Sequence, residues 1–590
     1  MTVLSHNTST EKRITLLDNT FRDNEWWRSA AIYQVYIRSF ADGNGDGVGD
    51  IAGIRNRLSY LAELGVDAIW VNPWYPSPME DAGYDISDYR SIEPSFGTME
   101  QAEAMIAEAH DLGMRVILDL VPNHVSEAHP WFQEALLAQP GSAERDRFHF
   151  RPGKGVAGDE APNDWVSSFG GPAWTRVKDS DGNPGEWYLH LFTPGQPDVN
   201  WGNADIRGDF ETTLRFWFDR GVDGFRIDVA QSLCKDADLP DLNGLTYPTP
   251  VPADGSEPVE HPHFDRDEVH DIYRSWRAVA DSYDPPRVFV AEAWVGNPAR
   301  LTRYLRPDEL HSAFNFNFLL APWNGATLRS VIDTTITSHA AVNASPTWVL
   351  SNHDGVRHLS KYARPQTDSR TWFLSQIRDI PGDFELGERR ARAAAMLMLA
   401  LPGGVYIYQG EELGLAEVED IPDDQLQDPI WERTGHRERG RDGCRVPLPW
   451  SGDTAPYGFS PPNANQAPWL PQPQGWGERT VEFQTGKADS TLELYRSALS
   501  LRRSLSALTT EPLTTATLTW MSDDNDQVLD FRRGSALRCV VNTSSEPIAL
   551  PDGDVLLASG PLPGNGTIPA DTAVWQGVPC ATTPDPTRAP

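Results

Sequence analysis

Cysteine is scarce in this chain: Cys234, Cys444, Cys539 and Cys580 are the only four among 590 residues. None stands in C-x-x-C spacing, which argues against a zinc site or a disulfide scaffold and fits reduced thiols. Long apolar runs are missing as well. No segment approaches the ~18 uninterrupted apolar residues of a membrane-crossing helix, and the polar stretch Met1–Asn24 lacks the apolar core of a signal peptide. The expectation is a cytoplasmic protein with no membrane partner. Basic residues are outnumbered, 50 Lys and Arg against 84 Asp and Glu, for a formal net charge of −34. A chain so acidic repels a phosphate backbone, so no nucleic-acid partner is expected.

What the chain has in quantity is apolar and aromatic side chains: it is 39% hydrophobic and carries 21 Trp. That composition belongs to a folded enzyme rather than a disordered chain. Its length exceeds one hydrophobic core, so a large catalytic domain with smaller appended domains is expected, in a monomer or small homo-oligomer.

Short β-branched or aromatic runs alternate with longer amphipathic stretches, the pattern of parallel βα units. The predicted strands are Ala31–Ile37, Ala68–Asn72, Arg115–Val121, Gly224–Val229, Val288–Trp294, Ala313–Leu319, Trp348–Asn352 and Gly404–Tyr408. A first helix from Asp50 places Ile51, Ile54, Leu58, Leu61 and Leu64 on one face, and Gly65 closes it. Further helices are predicted at Met99–Leu112, Asp209–Arg220, Glu268–Tyr283, Pro298–Leu305, Leu328–His339, Glu388–Leu399 and Thr491–Leu505. Eight such units point to an α/β fold, a (β/α)₈ TIM barrel. After the third strand, residues 123–205 are rich in Gly, Pro, Trp and charge, far longer than an ordinary βα loop, and read as an inserted subdomain. The barrel then occupies 1–122 and 206–510. From 511 to 590, runs such as Ala516–Trp520, Val528–Phe531 and Leu537–Val541 predict a small antiparallel β domain, with Thr582–Pro590 as a tail.

A barrel of this kind builds its active site at the C-terminal ends of its strands. Polar groups stand where that rule requires: His124 after strand three, Arg226 and Asp228 at the end of strand four, Glu292 at the end of strand five, His353 and Asp354 after strand seven. Arg226 and Asp228 are two residues apart, so on a strand they share a face, and a guanidinium there favours an ionised Asp228. Glu292, flanked by Ala291, Ala293 and Trp294, has an apolar setting that favours its protonated form. Glycosidic cleavage with retention needs two such carboxyl groups ~5–5.5 Å apart, one attacking and one protonating the leaving oxygen.

The segments DLVPNH (Asp119–His124), GFRIDVA (Gly224–Ala230), FVAEAW (Phe289–Trp294) and LSNHD (Leu350–Asp354) resemble the four signature regions of the α-amylase family of glycoside hydrolases. AIYQVYIRSF, DAGYDISDY, YLHLF and QPDVNW accompany them in order, as in its α-glucosidase and oligo-1,6-glucosidase branch. The resemblance implies a retaining, exo-acting α-glucosidase that releases terminal α-glucose from short oligosaccharides with α-1,4 or α-1,6 linkages. It implies Asp228 as nucleophile, Glu292 as general acid/base and Asp354 as the third acid that grips sugar hydroxyls. It further implies His124 and His353 as donors to the sugar, Asp81 and Tyr84 as the end of the pocket, and Phe192 and Gln196 as flanking residues. Arg445 resembles the arginine of the terminal-sugar site, with Arg441 and Arg439 as competitors. Val229 after the nucleophile hints at α-1,6 bonds, whereas Ala230 and Gln231 depart from that pattern and the loop Lys235–Asp267 is extended. Transglucosylation, or isomerisation of sucrose or maltose, would use the same residues. A non-catalytic binding or transporter-associated barrel is the remaining alternative, and it would typically lack the carboxylates that this chain keeps.

Asp42, Asn44, Asp46, Val48 and Asp50 alternate with glycines, a spacing that wraps a short loop around a hard cation. Relatives bind a structural Ca²⁺ through the equivalent side chains and the carbonyl at Val48, with Mg²⁺ as a substitute. An Asp/Gly-rich turn without an ion is the other reading.

Overall fold

The computed structural model describes residues 24–178, 182–245, 261–366, 377–508, 518–521 and 525–578. The segment Met1–Asp23, Cys580, the tail Thr582–Pro590 and the middle of the loop after the fourth barrel strand lie outside them. Eight parallel strands form the central sheet: β1 (Ala31–Val35), β2 (Ala68–Val71), β3 (Arg115–Leu120) and, beyond the insertion, β7 (Gly224–Ile227), β8 (Val288–Ala291), β9 (Ser312–Ala313), β10 (Thr347–Val349) and β11 (Gly404–Tyr408). Their order is β10-β11-β1-β2-β3-β7-β8-β9, every neighbouring pair parallel. Each strand is buried throughout because helices cover the outer face while side chains fill the inside. Ile32, Trp70, Ile117, Val290, Phe314, Val349 and Tyr406 belong to that inner cluster.

The sixth strand departs from the sequence expectation. Ala313–Leu319 was predicted extended, but β9 stops at Ala313 and Phe316–Leu320 is helical. The cause is Asn315, whose side chain accepts from the N–H of Phe318 at 3.0 Å and caps a turn that the strand-like alternation of Phe and Asn concealed. No ladder joins β9 to β10 among the described residues. Phe318 bridges that seam instead, its ring 5.1 Å from that of Trp348 in an edge contact. The first helix is also interrupted, into Ile51–Arg55 and Leu58–Leu64. Its ends follow the sequence: the Asp50 side chain caps the start, and Gly65 at φ +96° closes it in the left-handed region.

The insertion holds helices Pro130–Leu137 and Ala143–Asp146 and a three-stranded antiparallel sheet, β4 (Phe150–Arg151), β6 (Pro184–Leu189) and β5 (Trp174–Lys178) in that order. Its own core of Trp165, Trp174, Leu189 and Leu191 also takes in Leu239 and Leu242 from the loop after β7. That packing ties the insertion to the rim carrying Asp228. Residues 518–577 form a five-stranded antiparallel sheet, order β12 (Leu518–Trp520), β13 (Val528–Arg533), β14 (Leu537–Asn542), β18 (Thr572–Gly577), β16 (Val555–Ala558), beside the pair β15 (Ile548–Ala549) and β17 (Thr567–Ile568). It docks on the long helix Phe384–Ala400, where Trp575 donates to the carbonyl of Met396 at 3.2 Å. No helix among the described residues is long and apolar enough to cross a membrane.

Candidate active site

The pairing of β7 with β8 aligns Arg226 with Val290 and Ile227 with Ala291, so Asp228 and Glu292 emerge side by side at the rim. Backbone bonds hold both there. Asp228 N–H donates to Leu120 O, Glu292 N–H to Ile227 O and Ala230 N–H to Glu292 O, each at 2.9 Å. Arg226, 1% exposed, is the hub of the cluster. Its Nη1 donates to Asp119 Oδ1 at 2.9 Å and to Asp228 Oδ1, while Nη2 pairs with Glu292 Oε2 at 2.7 Å. Two carboxyl groups on the terminal nitrogens of one guanidinium necessarily lie close together.

Three buried carboxyls facing one cation cannot all ionise cheaply. Burial pushes the Asp228 carboxyl well above the usual range; Arg226 opposes this, and the Glu292 and Asp119 charges add to it. Burial also brings Asp119 up to about 6, with Arg226 again opposing. The cluster therefore keeps a proton that isolated carboxyls would lose well below neutrality.

Val229 explains part of this arrangement. It was predicted to continue the strand, yet its φ of +48° is a left-handed conformation that a β-branched residue adopts only under constraint. The turn aims the Val229 N–H at Glu292 Oε2, 3.0 Å away, and the Trp294 indole N–H donates to Glu292 Oε1 at 3.0 Å. Glu292 thus receives N–H donors on both oxygens, counting Arg226, where the flanking alanines predicted an apolar surrounding.

Asp354 has partners of its own. Arg445 Nη2 donates to its Oδ1 at 3.0 Å and Arg441 Nη1 at 3.2 Å, and His353 Nε2 lies 3.3 Å from its Oδ2. Burial works to raise this carboxyl, but His353 and the two arginines hold it well below the usual range, so it is an anion at every ordinary pH. Arg441, one of the two weaker sequence candidates, is the arginine that spans the pocket. It reaches Asp81 at 2.7 Å as well as Asp354, and is anchored to Asp428 at 2.6 Å. Arg445 supports Asp354 from the same side and donates to His353 O at 2.8 Å, whereas Arg439 pairs with Asp423 elsewhere.

The other sequence-predicted residues converge on the same place. Gln196 Nε2 donates to Asp81 Oδ2 at 3.1 Å and lies 3.1 Å from His124 Nε2; the Phe192 ring sits 5.0 Å from that of His124. Tyr84 stacks on His353 with centroids 5.3 Å apart and planes 13° from parallel, and its hydroxyl donates to Asp119 Oδ2 at 2.9 Å. Burial lowers both imidazoles, His353 far below its ordinary value, so both are neutral near pH 7. Asn72 donates to the Tyr84 oxygen at 2.6 Å, Gln34 Nε2 donates to Asn72 Oδ1 at 3.0 Å, and Gln34 Nε2 lies 2.7 Å from His353 Nδ1. Since that amide nitrogen can only donate, His353 Nδ1 is the acceptor and its proton sits on Nε2, facing Asp354.

Asp119, Gln34, Asn72 and Asp428 belong to this network and were not singled out from the sequence. Asp119 lies inside DLVPNH, so its signal was present. Gln34 and Asn72 end buried strands, where an amide among apolar residues is the available clue. Asp428 sits in an irregular, acidic stretch with no pattern to mark it.

In the glycine-rich loop, Asp42 Oδ1 accepts from the N–H of Asn44 at 3.1 Å and Gly45 at 2.6 Å, and its Oδ2 from Gly47 at 2.9 Å. Asp46 Oδ1 accepts from Val48 N–H at 2.9 Å, and Asp50 Oδ1 from Gly43 and Gly53. Burial pushes Asp50 up to about 6, with the Asp42 and Asp46 charges adding to it. Among the described residues no group of three or more His, Cys, Asp or Glu is gathered closely enough to form a metal site by such residues alone. The donor set nevertheless suits a hard cation: it is all oxygen, it is acidic, and its mutual repulsion is the kind a divalent ion relieves.

A family model described as the alpha amylase catalytic domain matches residues 34–511, and one described as a domain of unknown function, DUF3459, matches 519–575. The chain is 38% identical over 507 residues to a probable alpha-glucosidase of Rhizobium meliloti (strain 1021), spanning 82% of this chain and 84% of that one. It is 35% identical over 518 residues to an oligo-1,6-glucosidase of Parageobacillus thermoglucosidasius, covering 81% and 84% respectively. The crystal structure of an alpha-glucosyl transfer enzyme, XgtA, matches with a TM-score of 0.77 at 32% identity, over 94% of this chain and 99% of the other. With the catalytic-domain model spanning most of its length and its rim carboxylates gathered as described, the chain belongs to the α-amylase family of glycoside hydrolases.

Proposed function

We propose that the protein is a retaining α-glucosidase of broad linkage preference, releasing terminal α-glucose from short oligosaccharides. The observation that carries this is the pair Asp228 and Glu292 on the two terminal nitrogens of one guanidinium at the strand tips. Arg226 opposes the burial that raises the Asp228 carboxyl and so favours its anion, the form that attacks, while Glu292 is the acid of the pair. Asp228 attacks the anomeric carbon as the glycosidic C–O bond breaks, and Glu292 gives its proton to the leaving oxygen. Glu292, now ionised, takes a proton from water as that water attacks the ester, and Asp228 regains its charge. A second sugar in place of water gives transglucosylation by the same steps, a reading favoured by the likeness to the glucosyl transfer enzyme. Asp354, Asp81, Arg441 and the Nε2–H of His353 form an array of fixed charge and donors suited to the hydroxyls of one terminal sugar.

Proton NMR of the reaction should show α-glucose as the first anomer released, with turnover on both maltose and isomaltose exceeding that on sucrose and trehalose. Release of β-glucose first, or no glucose from any of the four, would end this reading.

For the glycine-rich loop, the reading is a structural cation, Ca²⁺ with Mg²⁺ as a substitute, held by Asp42, Asn44, Asp46, Asp50 and the Val48 carbonyl, which would neutralise the loop and stiffen the entry to the first helix. Removal of divalent ions with EDTA should lower Tm by about 2–5 °C, reversed by CaCl₂, with kcat at room temperature unchanged. An identical Tm in EDTA and in CaCl₂ contradicts the ion.

A further inference from the structure

Lys235 lies beyond the rim on the loop after β7 and takes no part in the chemistry above, yet its side chain is fully buried. Its Nζ pairs with Asp198 Oδ2 at 2.7 Å and donates to Asn123 Oδ1 at 2.7 Å and Ser232 O at 2.8 Å. Asp198 belongs to the return of the inserted subdomain and is itself fully buried. Asn123 touches both members of this ion pair, and that position fixes its amide. An ammonium only donates, so the amide oxygen must face Lys235; a carboxylate only accepts, so the amide nitrogen must face Asp198, which it does at 3.0 Å. The nitrogen's second hydrogen is directed at His124 Nδ1, 3.2 Å away. That ring nitrogen must then carry a lone pair, which puts the imidazole proton on Nε2, where the Tyr84 carbonyl accepts it at 3.0 Å; the Gln196 amide nitrogen, 3.1 Å from the same Nε2, directs its own two hydrogens to Asp81 Oδ2 at 3.1 Å and Tyr84 O at 3.4 Å.

We propose that Lys235 is a positioning residue: through Asn123 it locks His124 as the Nε2–H tautomer and so fixes the ring on the Tyr84 carbonyl at the wall of the sugar pocket. The proposal rests on the α-glucosidase reading for its kinetic consequence and on geometry alone for the tautomer. The charged groups acting on His124 are Asp198, Asp81 and Lys235, with Gln196, Tyr84 O and the Phe192 ring completing its surroundings. Burial lowers the His124 pKa, Asp198 and Asp81 oppose this, and Lys235 adds to it. Without Lys235, Asp198 is unopposed and His124 takes up a proton at higher pH, losing its neutral form as pH falls.

The test is long-range ¹H–¹⁵N NMR of the histidine rings, with His124 assigned by comparison with His124→Gln, together with pH profiles of kcat/KM on isomaltose. The parent should show a lone pair on Nδ1 of His124. Lys235→Met should give mixed tautomers, a roughly 10- to 100-fold fall in kcat/KM and an acid limb displaced to higher pH. The double variant Lys235→Met/Asp198→Asn removes both charges, so it should recover Tm and the parent acid limb while kcat/KM stays low, because nothing orients the amide. A proton on Nδ1 of His124 in the parent overturns the proposal, as does a double variant with parent kcat/KM. A parent inactive on α-glucosides sinks the hydrolase reading instead and leaves the tautomer measurement to decide this one.

Discussion

Asp228→Asn is expected to lower kcat on every α-glucoside by roughly 10⁴-fold or more, the scale seen when a nucleophile is removed from a preorganised site. The amide keeps the shape of the carboxylate but not its charge, and an amide oxygen beside a guanidinium is a poor attacking group. Stability should move the other way. Arg226 faces Asp119, Asp228 and Glu292 together, and burial with mutual repulsion holds the Asp228 carboxyl far above its ordinary range. Losing one of three crowded charges relieves that repulsion, so Tm should be no lower than in the parent. A slow fluorosugar substrate should label the parent on the peptide containing Asp228, seen as a mass increase after digestion, and should leave the variant unlabelled. Activity within about 100-fold of the parent, or labelling of a different peptide, would remove Asp228 from the mechanism.

The barrel was legible in the sequence because its signals are local and repeated. Buried strands such as Ala68–Val71 are continuous apolar runs, and Gly65 and Asp50 mark helix ends by chemistry that depends only on neighbours. The failures share a different cause. Phe314, Phe316 and Phe318 alternate with asparagines as the side chains of a strand would, and the side-chain cap from Asn315 turns Phe316–Leu320 into a helix instead. Val229 has strong strand preference, and tertiary constraint turns it left-handed. The site divides in the same way. Residues at strand tips were found because the fold says where to look, whereas the choice among Arg439, Arg441 and Arg445 depended on how an irregular loop folds. That loop reaches across to the inserted subdomain, where Arg433 donates to Gly170 O at 2.7 Å and Arg441 lies 5.0 Å over the Phe169 ring. Contacts between segments so far apart in the chain leave no periodicity to read.

Glu292→Gln separates the two steps of the reaction and tests the proton assignment. On maltose or isomaltose the leaving oxygen needs a proton, and its loss should lower kcat/KM by roughly 10²- to 10⁴-fold. On α-glucosyl fluoride, whose leaving group needs little assistance, formation of the glucosyl ester should remain rapid, so a burst precedes slow hydrolysis. Azide, which attacks without a general base, should restore turnover and give an α-glucosyl azide. The pH profile carries an independent sign. As the group that carries the proton into bond cleavage, Glu292 adds no charge beside Asp228 on the acid side, so a neutral glutamine should leave the acid limb in place. The alkaline limb, where the parent loses its acid, should disappear. An acid limb that moves up, or equal losses on maltose and on the fluoride, would mean that Glu292 holds the site together rather than moving a proton.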